Sequence, residues 1–153
     1  MERGIQITFE KYTGEDFPEF RDMVFALYTE DAVGEKITVR KIKKTISALA
    51  DRPGTEDIFL FRNFAEPIGY AILIDYWSNE YGGPIVFIDE FYVKPPSRGQ
   101  GVGSRFLEFF IRSHRNRVKA LQLEVSGGNK KAIGFYRRNG FRSNENLSMI
   151  RKI

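Results

Sequence analysis

Two adjacent carboxylates, Asp89 and Glu90, interrupt the apolar run IVFIDEFYV (85–93). Acids are costly to bury unpaired, so a pair inside an apolar strand favours a functional cavity on at least one side. Strict alternation places Asp89 with Phe87 and Phe91, and Glu90 on the opposite face with Ile88 and Tyr92. Five residues later comes RGQGVGS (98–104), in which Gly99, Gly101 and Gly103 precede a run of large apolar residues. Glycines at a strand-to-helix junction let backbone N–H groups approach anionic oxygens, and the helix dipole favours the negative charge. The chain has no cysteine, so a thiolate nucleophile, a disulfide framework and a thiolate metal site are excluded. His114, the one histidine, is expected to face solvent and is given no role.

These groups must be held by elements readable from periodicity. IQITFEKY (5–12) alternates as a half-buried strand. Residues 16–31 place Phe17, Phe20, Val24, Leu27 and Tyr28 on one helical stripe, with Pro18 in the first turn. Residues 38–51 form a second helix, with Thr38 as cap and Val39, Ile42, Ile46 and Leu49 inward. Strands follow at 57–64, 68–77 and 85–93, the last ended by Pro95 and Pro96. A helix over 102–114 buries Val102, Phe106, Phe109 and Phe110; a strand covers 120–125; a helix covers 129–140 with Gly140 as its C-cap; and a final strand covers 147–152. Trp77 and Tyr81 bracket a turn, where core packing or lid formation is expected before specific recognition.

Three phosphate-site patterns compete for the glycine loop. A P-loop needs Gly-Lys-Ser/Thr, and no lysine separates Gly103 from Ser104. A dinucleotide fingerprint follows its strand directly, whereas Lys94 to Arg98 intervene here, and too little chain remains after Glu124 for the other half of such a domain. The third pattern, Arg/Gln-x-x-Gly-x-Gly/Ala, fits Arg98 to Gly103. It is followed by Asn129-x-x-Ala132-x-x-Phe135-Tyr136-x-x-x-Gly140-Phe141. With these motifs, residues 85–142 resemble the GNAT superfamily of acetyl-CoA-dependent N-acetyltransferases.

The resemblance implies one α/β (α+β) domain over 1–153. Its mixed, mostly antiparallel sheet would have six to seven strands and about four flanking helices, in the order β-α-α-β-β-β-α-β-α-β. It implies coenzyme A diphosphate on the amides of Gly99, Gln100, Gly101, Val102, Gly103 and Ser104, with Arg98 beside it. The pantetheine arm would run along Phe91, Tyr92 and Val93, with Asn129, Ala132 and Phe135 completing the cofactor site and no metal required. Tyr136 looks like the general acid for the leaving sulfur. An alkylamine is mostly charged at neutral pH, so a carboxylate must take its proton. Asp89, Glu90 and Glu124 are the alternatives, in that order. IDEFYV is similar to the acid-acid-aromatic strand of diamine and polyamine acetyltransferases, while Glu124 matches the acid of ribosomal-protein N-terminal acetyltransferases.

The charge distribution suits this reading. Residues 1–90 hold 10 Lys/Arg and 17 Asp/Glu, whereas residues 91–153 hold 14 and 3, so the halves carry −7 and +11. A basic half suits the phosphates of acetyl-CoA. Glu30, Asp31, Glu35, Glu80, Asp89 and Glu90 could attract a small cationic amine, although a protein amino group is also an acceptor class. No recognisable nucleic-acid motif, secretory signal or membrane-length apolar run is expected, which leaves a cytoplasmic setting. The resemblance allows a homodimer. The rival from another class is a GNAT-like module that binds acyl-CoA or a protein partner without turnover.

Overall fold

The computed structural model describes residues 4–31, 34–50, 52 and 57–153; the expected helix end at Asp51 and part of the 28–36 loop lie outside them. Five strands form one sheet in the order β1 (Ile7–Lys11), β2 (Asp57–Asn63), β3 (Glu66–Ser78), β4 (Gly83–Val93) and β5 (Ala120–Leu123). The first three pairings are antiparallel, and β4 pairs with β5 in parallel. The mixed α/β class therefore holds. Among the described residues the strand count is five, because no strand forms over 147–152: residues 142–153 are irregular and exposed.

The central strands are apolar on both faces, and alternation sends successive residues to opposite cores. Ile58 and Leu60 pack with Tyr70 and Ile72 under α1 (Phe17–Glu30) and α2 (Val39–Ala50). Phe59 and Phe61 pack with Leu73, Val86 and Ile88 under α3 (Val102–His114), with Phe135 of α4 (Lys130–Arg138) at the margin. Phe106, 1% exposed, meets the rings of Phe9, Phe59, Phe61 and Phe91. Burying such a side chain contributes roughly 1.5–3 kcal/mol. These two cores fix the sheet between its helices.

Local signals place the helix ends. Pro18 sits in the first turn of α1. Thr38 caps α2, its Oγ1 accepting from the Lys41 amide at 3.3 Å. Gly140 ends α4 with φ +88°. Two inward expectations change: Val39 and Phe109 are each 37% exposed, while Leu107 is buried in α3. Phe109 lies at the edge of its core, where its ring still meets Phe9 and Phe59.

Candidate active site

The site begins where two strands part. Pairing between β4 and β5 ends at Ile88–Leu123, yet β4 continues to Val93. From Asp89 to Val93, β4 has β3 on one side and no strand on the other among the described residues. The same point carries a β-bulge: Ile72 pairs with Glu90 and Leu73 with Ile88, so Asp89 is the extra residue. A one-residue insertion reverses the faces beyond it. Ile88 and Phe91 consequently pack in the same core, and Glu90 joins Tyr92 on the opposite side. The strict alternation expected from the sequence, which grouped Glu90 with Ile88, is corrected here.

Lys94 ends the strand, and a 3-10 turn (Pro95–Ser97) leads into the glycine loop. Its three glycines serve two different needs. Gly99 and Gly101 take φ of +73° and +76°, the left-handed region that other residues enter at a cost, and neither has an atom near its would-be Cβ. Gly103 is excluded from carrying a side chain by packing instead: a Cβ would stand 2.8 Å from Phe135 Cζ and 3.2 Å from Phe91 Cε1. Gly101 is the N-cap of α3 and offers no side chain to the first turn. The amides of Val102, Gly103 and Ser104 therefore begin the helix without intrahelical partners, while the Arg105 amide bonds Gly101 O at 3.0 Å. An anion fits this end.

Arg98 braces the loop. Its Nε donates to Val93 O at 2.7 Å, its Nη2 reaches both Glu30 oxygens at 2.9 Å, and its guanidinium lies over the Tyr92 ring at 5.3 Å. Gln100 Nε2 donates to Pro96 O at 3.2 Å. Asn129 caps α4, its Oδ1 accepting from the Ala132 amide at 3.1 Å. This cap starts the helix that delivers Phe135 and Tyr136. The Tyr136 ring lies among Phe91, Phe135 and Phe141, with centroids 6.5, 5.2 and 5.5 Å away. Its hydroxyl has no hydrogen-bond partner among the described residues. Burial pushes its pKa up to about 12, so it stays protonated at neutral pH.

The carboxylates divide by environment. Glu90 is held at both oxygens: Tyr70 Oη donates to Oε1 at 2.7 Å and Tyr28 Oη to Oε2 at 2.9 Å. Burial raises its pKa, and the two phenols oppose that rise. Burial and the adjacent carboxylate in turn raise Tyr28 and Tyr70, so both remain donors. Neither tyrosine was legible as a site residue. The available signal was weak: Tyr28 on the α1 stripe, and Tyr70 within an otherwise apolar strand. Asp89 is exposed, yet neighbouring protein partly desolvates its carboxyl, and that desolvation first, then Glu124, raises its pKa. Glu124 and Tyr136 line one open groove of about 1130 Å³ beside β5.

Other expectations meet mixed outcomes. His114 is half-buried, stacked on Phe110 at 4.2 Å, with Nδ1 donating to Phe110 O at 2.9 Å. It thus closes a helix turn rather than facing solvent. Trp77 and Tyr81 are 70% and 53% exposed, which removes core packing from the choices. Of the acidic loop, Glu30 is paired with Arg98 and Glu35 with Lys152.

A model described as the Acetyltransferase (GNAT) family matches residues 17–141. Among solved structures, the chain is similar to a possible acetyltransferase from Clostridium difficile 630, at 17% identity and TM-score 0.80, covering 96% of this chain and 98% of that one. It is also similar to the aminoglycoside N-acetyltransferase AAC(6')-Iy in complex with CoA, at 18% identity and TM-score 0.75, covering 99% and 98%. The same enzyme with the bisubstrate analogue CoA-S-monomethyl-acetylneamine gives 16% identity and TM-score 0.79, covering 97% and 99%. At such identities the likeness is one of fold. No curated protein sequence matches the chain.

Proposed function

The chain belongs to the acetyltransferase (GNAT) family, and on that premise we propose that residues 1–153 form one domain that moves an acetyl group from acetyl-CoA to a primary amine by direct attack in a ternary complex. The observation that carries this reading is the parting of β4 from β5 at Asp89, beside an α3 N-terminus whose first amides are free. The residues fit the co-substrate. Amides from Gly99 to Ser104 would hold the diphosphate, aided by the helix dipole. The open edge of β4 at Phe91, Tyr92 and Val93 would pair with the amides of the pantetheine arm, a form of β-augmentation. Arg98 would contribute by fixing the loop to β4 and α1. Asn129, Ala132 and Phe135 would close the site from α4.

Acetyl-CoA would supply the acetyl group as a thioester whose leaving atom is sulfur. Tyr136 then donates a hydrogen bond to that sulfur as its bond to the acetyl carbon breaks. With its pKa near 12 against about 8.5 for an ordinary thiol, the phenol serves as a donor that strengthens as negative charge builds, not as a strong acid. Asp89 takes the proton leaving the amine, directly or through a water. Its raised pKa makes it a better base than an ordinary aspartate. Glu90, pinned by Tyr28 and Tyr70, is the second candidate and a fixed negative wall for a cationic acceptor. The −7 charge of residues 1–90 supports a small cationic amine as acceptor.

Thiol release from acetyl-CoA with a panel of diamines, aminoglycosides, neutral amines and peptide amino groups tests the reading. Tyr136→Phe and Asp89→Asn should each lower kcat by about 10²-fold while acetyl-CoA binding persists by calorimetry. Binding of acetyl-CoA with no thiol release from any amine would overturn catalysis and leave a binding module. Faster reaction of neutral amines than of diamines would overturn the acceptor assignment.

A further inference from the structure

Glu30 is poorly placed for its own helix. It is the last residue of α1, and no basic residue occupies that last turn. The helix dipole puts partial negative charge at this end, so a carboxylate here is locally unfavourable. Its partner comes from 68 positions along the chain: Arg98 Nη2 donates to Glu30 Oε1 and Oε2, both at 2.9 Å. The Arg98 and Glu30 side chains are 33% and 44% exposed, and an ion pair so open to water adds little to stability. Its consequence is geometric.

The same guanidinium reaches back to the strand that the glycine loop follows. Arg98 Nε donates to Val93 O at 2.7 Å, and the guanidinium lies over the Tyr92 ring at 5.3 Å. Tyr92 is 5% exposed and anchored in the core under α1. The Lys94 amide bonds Ile68 O on β3 at 2.8 Å, and the backbone polar groups of a strand alternate between its two edges. Val93 O therefore looks to the free edge of β4. Arg98 occupies that carbonyl, which leaves the Val93 N–H and the polar groups of Phe91 for an arm that pairs there. The open edge thus has a fixed end at the mouth of the glycine loop, and Glu30 holds the side chain that closes it.

We propose that Glu30 is a positioning residue for the thioester co-substrate. Acting through Arg98, it fixes where the pantetheine arm leaves β4 and the diphosphate turns onto the amides of Gly99 to Ser104. Arg98 is then a bracket whose charge Glu30 already matches, and the phosphates depend on the loop amides rather than on a free guanidinium. The same bonds withdraw Glu30 from the acids offered to a cationic amine. The inference rests on the binding of acetyl-CoA proposed for this site.

Calorimetry with acetyl-CoA and steady-state thiol release, both on the full chain, test it. Glu30→Ala should weaken acetyl-CoA binding about tenfold, the scale of one lost hydrogen bond to a charged group, and raise the KM for acetyl-CoA alike. Tm, kcat and the KM for the amine should hardly move. Arg98→Lys keeps the charge but lacks the planar fork that spans Val93 O and Glu30, so it should lose affinity to a similar extent. Combining Glu30→Ala with Arg98→Lys should weaken binding no further than either alone, because both remove one bracket. Unchanged binding by Glu30→Ala overturns the proposal, and tighter binding does so by showing a guanidinium released to the phosphates. Wild-type affinity in Arg98→Lys, additive losses in the double variant, or a rise confined to the KM for the amine each overturn it too. A wild type that binds no acetyl-CoA removes the co-substrate itself, and this inference with it.

Discussion

At the scale of single residues, the site separates donors that must stay protonated from acceptors that must not. Tyr136 and the two phenols on Glu90 have raised pKa values, chiefly through burial. Asp89 is raised by desolvation and by Glu124, which has a consequence for stability as well as rate. Its folded pKa lies above the unfolded value near 3.8, so between the two the native state binds more protons than the unfolded one. Stability is then lost as pH rises through that window, and at neutral pH the ionised Asp89 is a net cost. Asp89→Asn should therefore raise Tm slightly at pH 7 even as it lowers kcat. The gain should vanish below the unfolded pKa, as paired melting curves at pH 7 and in acid would show. A lower Tm at pH 7 would mean that Asp89 has a stabilising partner instead. The acidic limb of kcat/KM should likewise lie above the ordinary aspartate range.

Elements decide where those residues point. The motif spacing Arg98 to Gly103 was readable because glycine alone suits both the left-handed turn and the contact with Phe135. What spacing could not separate was the two reasons: strain at Gly99 and Gly101, close packing at Gly103. Gly103→Val should force the Phe135 ring aside and cost about 1–3 kcal/mol, a figure typical of overpacked sites. Because Phe135 adjoins Tyr136, kcat should fall with Tm; thermal melting and thiol release on the same sample check both. An unchanged Tm would show that the ring moves freely. The bulge at Asp89 was not legible, because period-two reasoning carries no signal for an extra residue. It alone puts Glu90 within reach of Tyr28 and Tyr70. Thr38, Pro18 and Gly140 announced their helix ends since each acts through its own backbone or side chain.

Over the whole molecule, the +11 charge belongs to residues 91–153, the stretch that includes the elements proposed to hold a polyanion. Acetyl-CoA binding should weaken several-fold when ionic strength rises from about 0.05 to 0.5 M, since screening shortens the reach of exposed charges. Titration calorimetry at both salt levels checks this, and a constant affinity would leave the basic half without that role. Local chemistry and periodicity were enough to determine the mixed α/β class, the crossover from β4 to β5 and the loop that opens α3. Each depends on residues close together in the chain. Only the tertiary structure decided the face taken by Glu90, the partners of Arg98 and the fate of residues 147–152, which the sequence marks as a strand and the fold leaves unpaired. A strand's existence depends on a neighbour to pair with, and a side chain's surroundings depend on register; neither is a property of the segment that carries them.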